Sequence, residues 1–200
     1  MPSPRAEKTK RHAASTAGLA AVTFGVALFS FSALPPRMAI VSCGLGWAML
    51  AIAHIDARRY TIPDVLSLPA IPLGLLASGY LLAPWNESLA DLDHVIGAAV
   101  GGAGFWLIRE IYGRLRGREG LGLGDVKLAA AAGAWTGWQD LPNVVLLAAA
   151  AALGFALVHA TVRRRSLAGA ERIAFGAFLA PAIWIVWVLR QIASGLQVHW

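Results

Sequence analysis

Two acidic residues stand where apolar runs end and begin. Asp56 closes the run Met38 to Ile55 and is followed by Ala57-Arg58-Arg59. Asp125 closes the polar, glycine-rich stretch Arg116-Gly117-Arg118-Glu119-Gly120-Leu121-Gly122-Leu123-Gly124, and Val126-Lys127-Leu128 then leads into the small residues Ala129 to Gly133. Keeping an ionisable group at the edge of a membrane-embedded segment is costly, which makes each a functional-site hypothesis. Two carboxylates held close together cannot both ionise easily, so one keeps a proton while the other stays charged. Such a pair can activate water with no metal or cofactor. The charged member takes a proton from the attacking water, and the protonated member hydrogen-bonds to the developing oxyanion or leaving group. Asp125 at a helix N-terminus is expected to be the charged member, and Asp56 at a C-terminus the protonated one. Gly122 and Gly124 are expected to let backbones approach closely and to adopt conformations closed to other residues. A purely structural reading stands beside this one, with Asp125 as a helix N-cap and Asp56 paired with Arg58 or Arg59.

The elements that would position these groups follow from composition. The chain has 58% hydrophobic and 14% charged residues, against about 25% charged in a soluble domain. An integral membrane protein is expected, all-α, because a bilayer leaves no partners for open backbone groups. The net charge of +6 lies in short clusters between apolar runs, so it reads as membrane topology and not as a nucleic-acid surface. The single cysteine, Cys43, excludes an internal disulfide or a cysteine-based zinc site. The five histidines form no i,i+4 pair, and no metal site is expected.

Seven apolar runs follow in order: Ala17 to Leu34, Met38 to Ile55, Val65 to Ala83, Val95 to Ile111, Asp125 to Trp138, Val144 to Val162 and Ile173 to Ile192. The fifth is short for a span of about 20 residues, but charge argues that it crosses. With seven spans and a cytoplasmic N-terminus, residues 1–12 form a basic cytoplasmic segment, and of the 17 Lys and Arg only Arg37 and Arg190 fall outside. Asp56 and Asp125 then share the cytoplasmic face. Glycine and alanine in the fourth, fifth and sixth runs predict close helix packing in a bundle. The tryptophans, Trp135 and Trp138 among them, lie mostly near span ends and read as an interfacial belt. No repeat or long linker divides the chain, so residues 1–200 read as one membrane-embedded domain.

Asp56 with Ile62-Pro63-Asp64, the string Gly117 to Leu128 and the segment Gly133-Ala134-Trp135-Thr136-Gly137 together resemble the prepilin peptidase family. Phe175-Gly176-Ala177-Phe178-Leu179-Ala180 is similar to that family's Phe-Gly-Pro-Phe-Leu-Ala segment, with alanine at 177 in place of proline. The resemblance spans roughly Ile55 to Pro181. It implies a membrane aspartic endopeptidase of the bacterial cytoplasmic (inner) membrane, with Asp56 and Asp125 catalytic and the active site facing the cytoplasm. Its substrate would be a type IV prepilin or a type II secretion pseudopilin, cut after the glycine that ends a basic leader. Asp64 and Lys127 match motif positions outside the catalytic pair. Asp64 reads as a cap on the third helix, and Lys127 as a phosphate or carboxylate contact. Glu119, with Glu110 and Glu171, is expected to attract the basic leader. Bifunctional members carry a cytoplasmic insertion with two Cys-x-x-Cys pairs and also N-methylate the product. One cysteine, and no room between the first two helices, place this chain among the short, protease-only members. A homo-oligomer is compatible with this reading. Two rivals use the same aspartates: a small transporter or proton relay, and a non-enzymatic assembly subunit.

Overall fold

The computed structural model describes residues 4–82, 88–117, 120–163 and 174–197, and every regular element among them is helical. Six α-helices follow in order: α1 (Pro4–Ala33), α2 (Pro36–Arg59), α3 (Asp64–Leu76), α4 (Ser88–Arg116), α5 (Leu123–Arg163) and α6 (Gly176–Gln197), and a π-helical stretch, Ala77–Leu82, continues α3. Arg118, Arg164, Arg165 and Arg172, four of the Lys and Arg counted above, and Glu119 and Glu171, expected to attract the leader, lie outside the described residues.

Four of the helices contain stretches long and apolar enough to cross a membrane: 36–59, 92–116, 123–162 and 176–195. Two shorter apolar helices, 17–33 and 64–79, accompany them. Leu107, Ile108, Leu146, Leu153, Phe155 and Val158 all face outward. An apolar exterior of that extent suits lipid and not water. The chain is a multi-pass membrane protein.

α5 is one element in name only. Its 41 residues would extend about 60 Å, twice the roughly 30 Å of a hydrocarbon core. Gly137, at φ 75° and ψ 172°, breaks it into limbs 123–136 and 138–163. A positive φ favours glycine, and a Cβ there would strike the carboxylate of Asp93. The apolar limits read from sequence are therefore shifted. The fifth run starts at Leu123 and not at Asp125, and the polar residues 139–143 continue the second limb in place of a loop.

The chain divides into two compact units, Met1–Trp47 and Ala48–Trp200. In the first, α1 and the start of α2 are tied by a buried hydroxyl pair, Ser30 Oγ to Ser42 Oγ at 2.8 Å, and by Trp47 Nε1 donating to the Thr23 carbonyl at 3.1 Å. The second holds both candidate carboxylates. There α4 meets the first limb of α5 through glycine. A Cβ on Gly97 would lie 2.6 Å from the Gly133 carbonyl oxygen, and one on Gly133 or Gly101 would collide with backbone of Gly97 or Ala129. Close backbone contact of this kind is how helices associate where lipid removes the hydrophobic drive. α3 joins the same limb through Gly74, packed under the Trp135 ring, while Trp135 Nε1 donates to the Ala70 carbonyl at 2.8 Å. Trp135 also meets the buried Trp187 edge-on, with centroids 6.0 Å apart. These two tryptophans belong to the core and not to an interfacial belt, because the small residues of α3 and α5 leave room that only a large ring fills.

At the far end of α4 from Arg109, Arg190 of α6 binds Asp140 at 3.1 Å, approaches Asp93 at 3.7 Å and donates to the Thr136 carbonyl. The carbonyl left open by the α5 bend thus gains a charged donor.

Candidate active site

α2 ends because Tyr60 takes a left-handed conformation, φ 53°, which is costly for a residue with a Cβ. Its N–H still closes the last turn on the Asp56 carbonyl at 2.8 Å. The chain then runs through Thr61, Ile62 and Pro63 into α3. Asp56 is buried in the last turn of α2, and its Oδ2 accepts the Ala177 N–H at 2.9 Å, with the Gly176 N–H also directed to the carboxylate. Those amides lie at the start of α6, where the first N–H groups of a helix lack partners inside it, and the Ala177 N–H is shared with the Ala174 carbonyl at 3.2 Å. Phe175, whose ring lies tilted against that of Phe105 with centroids 6.2 Å apart, anchors this helix start.

Asp125 is in the first turn of α5, at its third residue, so Gly122 and not Asp125 holds the N-cap position. Its Oδ2 reaches back to accept the Gly122 N–H at 3.2 Å, and its own N–H donates to the Gly122 carbonyl at 3.2 Å. This is the returning half of a capping box. Both carboxylates thus face a helix N-terminus: Asp125 that of α5, Asp56 that of α6. The asymmetry expected from helix ends does not survive, because it considered only the helix on which each residue is carried. The two acids meet around Ile62, which lies against both Gly124, the residue before Asp125, and Gly176, where an added Cβ would be 2.9 Å from Asp56 Oδ2.

Around them, Gly124 is needed for space alone, since a Cβ there would lie 2.8 Å from Ile62 Cβ. Neither Gly122 nor Gly124 is among the positive-φ residues, so their expected special conformations are absent: Gly122 precedes the first residue of α5 and Gly124 is its second. Asp64 does not cap α3. Pro63 holds the N-cap position with no side-chain hydrogen bond, and Asp64 instead accepts Lys127 Nζ at 2.6 Å. Lys127 therefore does find a carboxylate, one from its own chain. Glu119 lies outside the described residues. Sequence reasoning missed Ile62 as a packing element. It also missed Arg109, whose Nε holds the Leu121 carbonyl at 3.2 Å, and Tyr112, whose ring covers Gly120. Only the Ile-Pro-Asp string hinted at Ile62. No three His, Cys, Asp or Glu side chains converge among the described residues.

The profile of the type IV leader peptidase family matches residues 43–157, more than half of the chain and both acidic positions. The chain belongs to the type IV leader peptidase family. Over 146 residues it is 42% identical to the prepilin leader peptidase/N-methyltransferase of Burkholderia pseudomallei (strain K96243), covering 73% of this chain and 45% of that protein. It is 39% identical over 142 residues to the protein of the same name from Pseudomonas aeruginosa, covering 70% and 46%, and 40% identical over 133 residues to that of Escherichia coli (strain K12), covering 66% and 55%. The chain spans about half the length of these curated relatives. No solved structure matches it significantly.

Proposed function

We propose that this chain is a membrane aspartic endopeptidase that removes the N-terminal leader of type IV prepilins or type II secretion pseudopilins. The observation that carries the reading is the convergence of Asp56 and Asp125, each held by backbone N–H at a helix start, in a member of the leader peptidase family. One carboxylate takes a proton from water as the oxygen attacks the carbonyl carbon of the leader's last glycine. The other donates its proton as the C–N bond breaks and the new amine leaves. The substrate enters as a basic leader followed by an apolar helix. No cofactor takes part, and neither nucleic acid nor metal is a partner.

Seven spans, with the limbs of α5 counted separately and with α1 and α3 counted as crossings, put the N-terminus and the acidic pair on the cytoplasmic side of the bacterial inner membrane. The supporting argument is charge: 15 of the 17 Lys and Arg then lie inside. The absence of linker composition supports one domain over residues 1–200. N-methylation is not part of this proposal, because α1 ends at Ala33 and α2 begins at Pro36, with Cys43 the single cysteine. A transporter or assembly role is not favoured, since the relatives are peptidases by name.

Co-expression of the chain with a tagged prepilin in membranes tests the reading. Wild type should release the leader, Asp56→Asn and Asp125→Asn should each stop release at unchanged protein level, and the new N-terminus should carry no methyl group. Leader release by both asparagine variants would remove the aspartates from the chemistry.

A further inference from the structure

Ile62 lies in the short connection between α2 and α3, a place where side chains are usually solvated, yet it is buried at 7% exposure. Its side chain lies against two different helix starts. A Cβ on Gly124 would lie 2.8 Å from Ile62 Cβ and 3.3 Å from both Cγ1 and Cδ1, and a Cβ on Gly176 would lie 2.5 Å from Cδ1 and 3.0 Å from Cγ1. The isoleucine is therefore wedged between the starts of α5 and α6, and neither glycine has room for a methyl group. Each of those glycines adjoins one of the acids. Gly124 immediately precedes Asp125, and Gly176 precedes Ala177, whose N–H holds Asp56 Oδ2.

We propose that Ile62 is a positioning residue: its side chain, wedged between Gly124 and Gly176, sets the separation of Asp125 and Asp56. Isoleucine suits this use, since β-branching leaves few χ1 rotamers and makes the side chain a stiff spacer. The spacer is pinned in turn. Two residues along the connection, Asp64 is bound at 2.6 Å by Lys127, itself two residues beyond Asp125. Without that clamp the connection could lift and let α5 and α6 close. Ile62 touches no reacting atom in this account, and it acts only through the geometry of the pair.

The functional consequence rests on the peptidase reading above, but the geometric consequence does not, and the test separates them. The variants are Ile62→Val, which removes only Cδ1, and Ile62→Ala. With a prepilin peptide as substrate, kcat should fall about tenfold for valine and about a hundredfold for alanine, with KM within twofold of wild type, since misplacement on the order of 1 Å costs roughly 10²-fold. The activity-independent measurement uses Asp56→Cys with Asp125→Cys in a Cys43→Ala background, cross-linked in detergent with bifunctional thiol reagents of graded length. The length giving the highest yield should shift when Ile62→Ala is added, in protein whose melting temperature shows that it remains folded. An unchanged length profile, or a loss confined to KM, overturns the positioning role. Wild type that cleaves no prepilin overturns the peptidase reading instead and leaves the cross-linking to judge Ile62.

Discussion

At the scale of single residues the site depends on where a methyl group fits. Gly124→Ala would press a Cβ against the branched Ile62 Cβ at 2.8 Å, a contact that no rotamer change relieves. We expect kcat to fall by roughly tenfold or more, as for any shift of a reacting group from its attack geometry. Gly122→Ala meets only the Asp125 carboxylate tip, at 3.3 Å, and should lose less, within about fivefold on the same grounds. Equal losses from the two would contradict the packing argument. Ala177 gives a second prediction. Its N–H donates to Asp56, but the position lies in the first turn of α6, where proline is tolerated. Ala177→Pro should fold and keep cleavage within about tenfold of wild type, because Gly176 N–H still faces the carboxylate. Loss of all activity in a folded Ala177→Pro protein would make that one amide indispensable. The acids themselves were legible in the sequence, since a charge at the edge of an apolar run needs a reason. Their environments were not: Asp56 is served by a helix that begins 120 residues later in the chain, and no local pattern announces that. Ile62 was equally hidden, because one buried residue in a connection has no periodicity.

At the scale of helices the bundle is tightest where α4 crosses α5. Gly133→Ala would drive a methyl group into the Gly97 backbone, which cannot move without separating the helices, so it should cost about 3 kcal/mol or more. Gly104→Ala, on the partner helix α4 and with nothing within 4 Å of the added carbon, should be neutral or slightly stabilising through helix propensity. Melting temperatures in detergent distinguish the two, and similar values would deny that backbone contact holds the pair. The α5 bend is fastened by Arg190. Arg190→Ala removes the charged donor of the Thr136 carbonyl and the cation beside Asp93 and Asp140, of which Asp140 keeps the Asn143 amide. It should lower stability by about 1–3 kcal/mol while leaving KM for the leader near wild type, since this cluster lies at the opposite end of α4 from Arg109 and the site. The apolar runs gave the helices their approximate places, and Gly and Ala gave their packing. Their limits were less visible. α4 begins at Ser88 and α5 continues past Gly137, because capping and a glycine bend decide the ends of helices and hydropathy does not.

At the scale of the whole molecule the account requires that the acidic pair and the Arg190 cluster open on opposite sides of the membrane. In a Cys43→Ala background, a thiol at Asn143→Cys should react with an impermeant maleimide in intact spheroplasts, and one at Leu115→Cys only after the membrane is opened. The reverse pattern would overturn the proposed orientation. Composition carried the membrane assignment on its own, and hydropathy with charge separated the fifth and sixth runs, whereas the glycine backbone angle that makes the bend between them is recorded by no hydropathy scale. The measurement closest to the central claim uses purified chain in liposomes with a synthetic prepilin segment, a basic leader ending in glycine followed by an apolar helix, and product masses as the readout. The account predicts one cut after that glycine by wild type and none by Asp56→Asn or Asp125→Asn of equal thermal stability. Cleavage that survives either substitution, or none by a folded wild type across several such leaders, would contradict it.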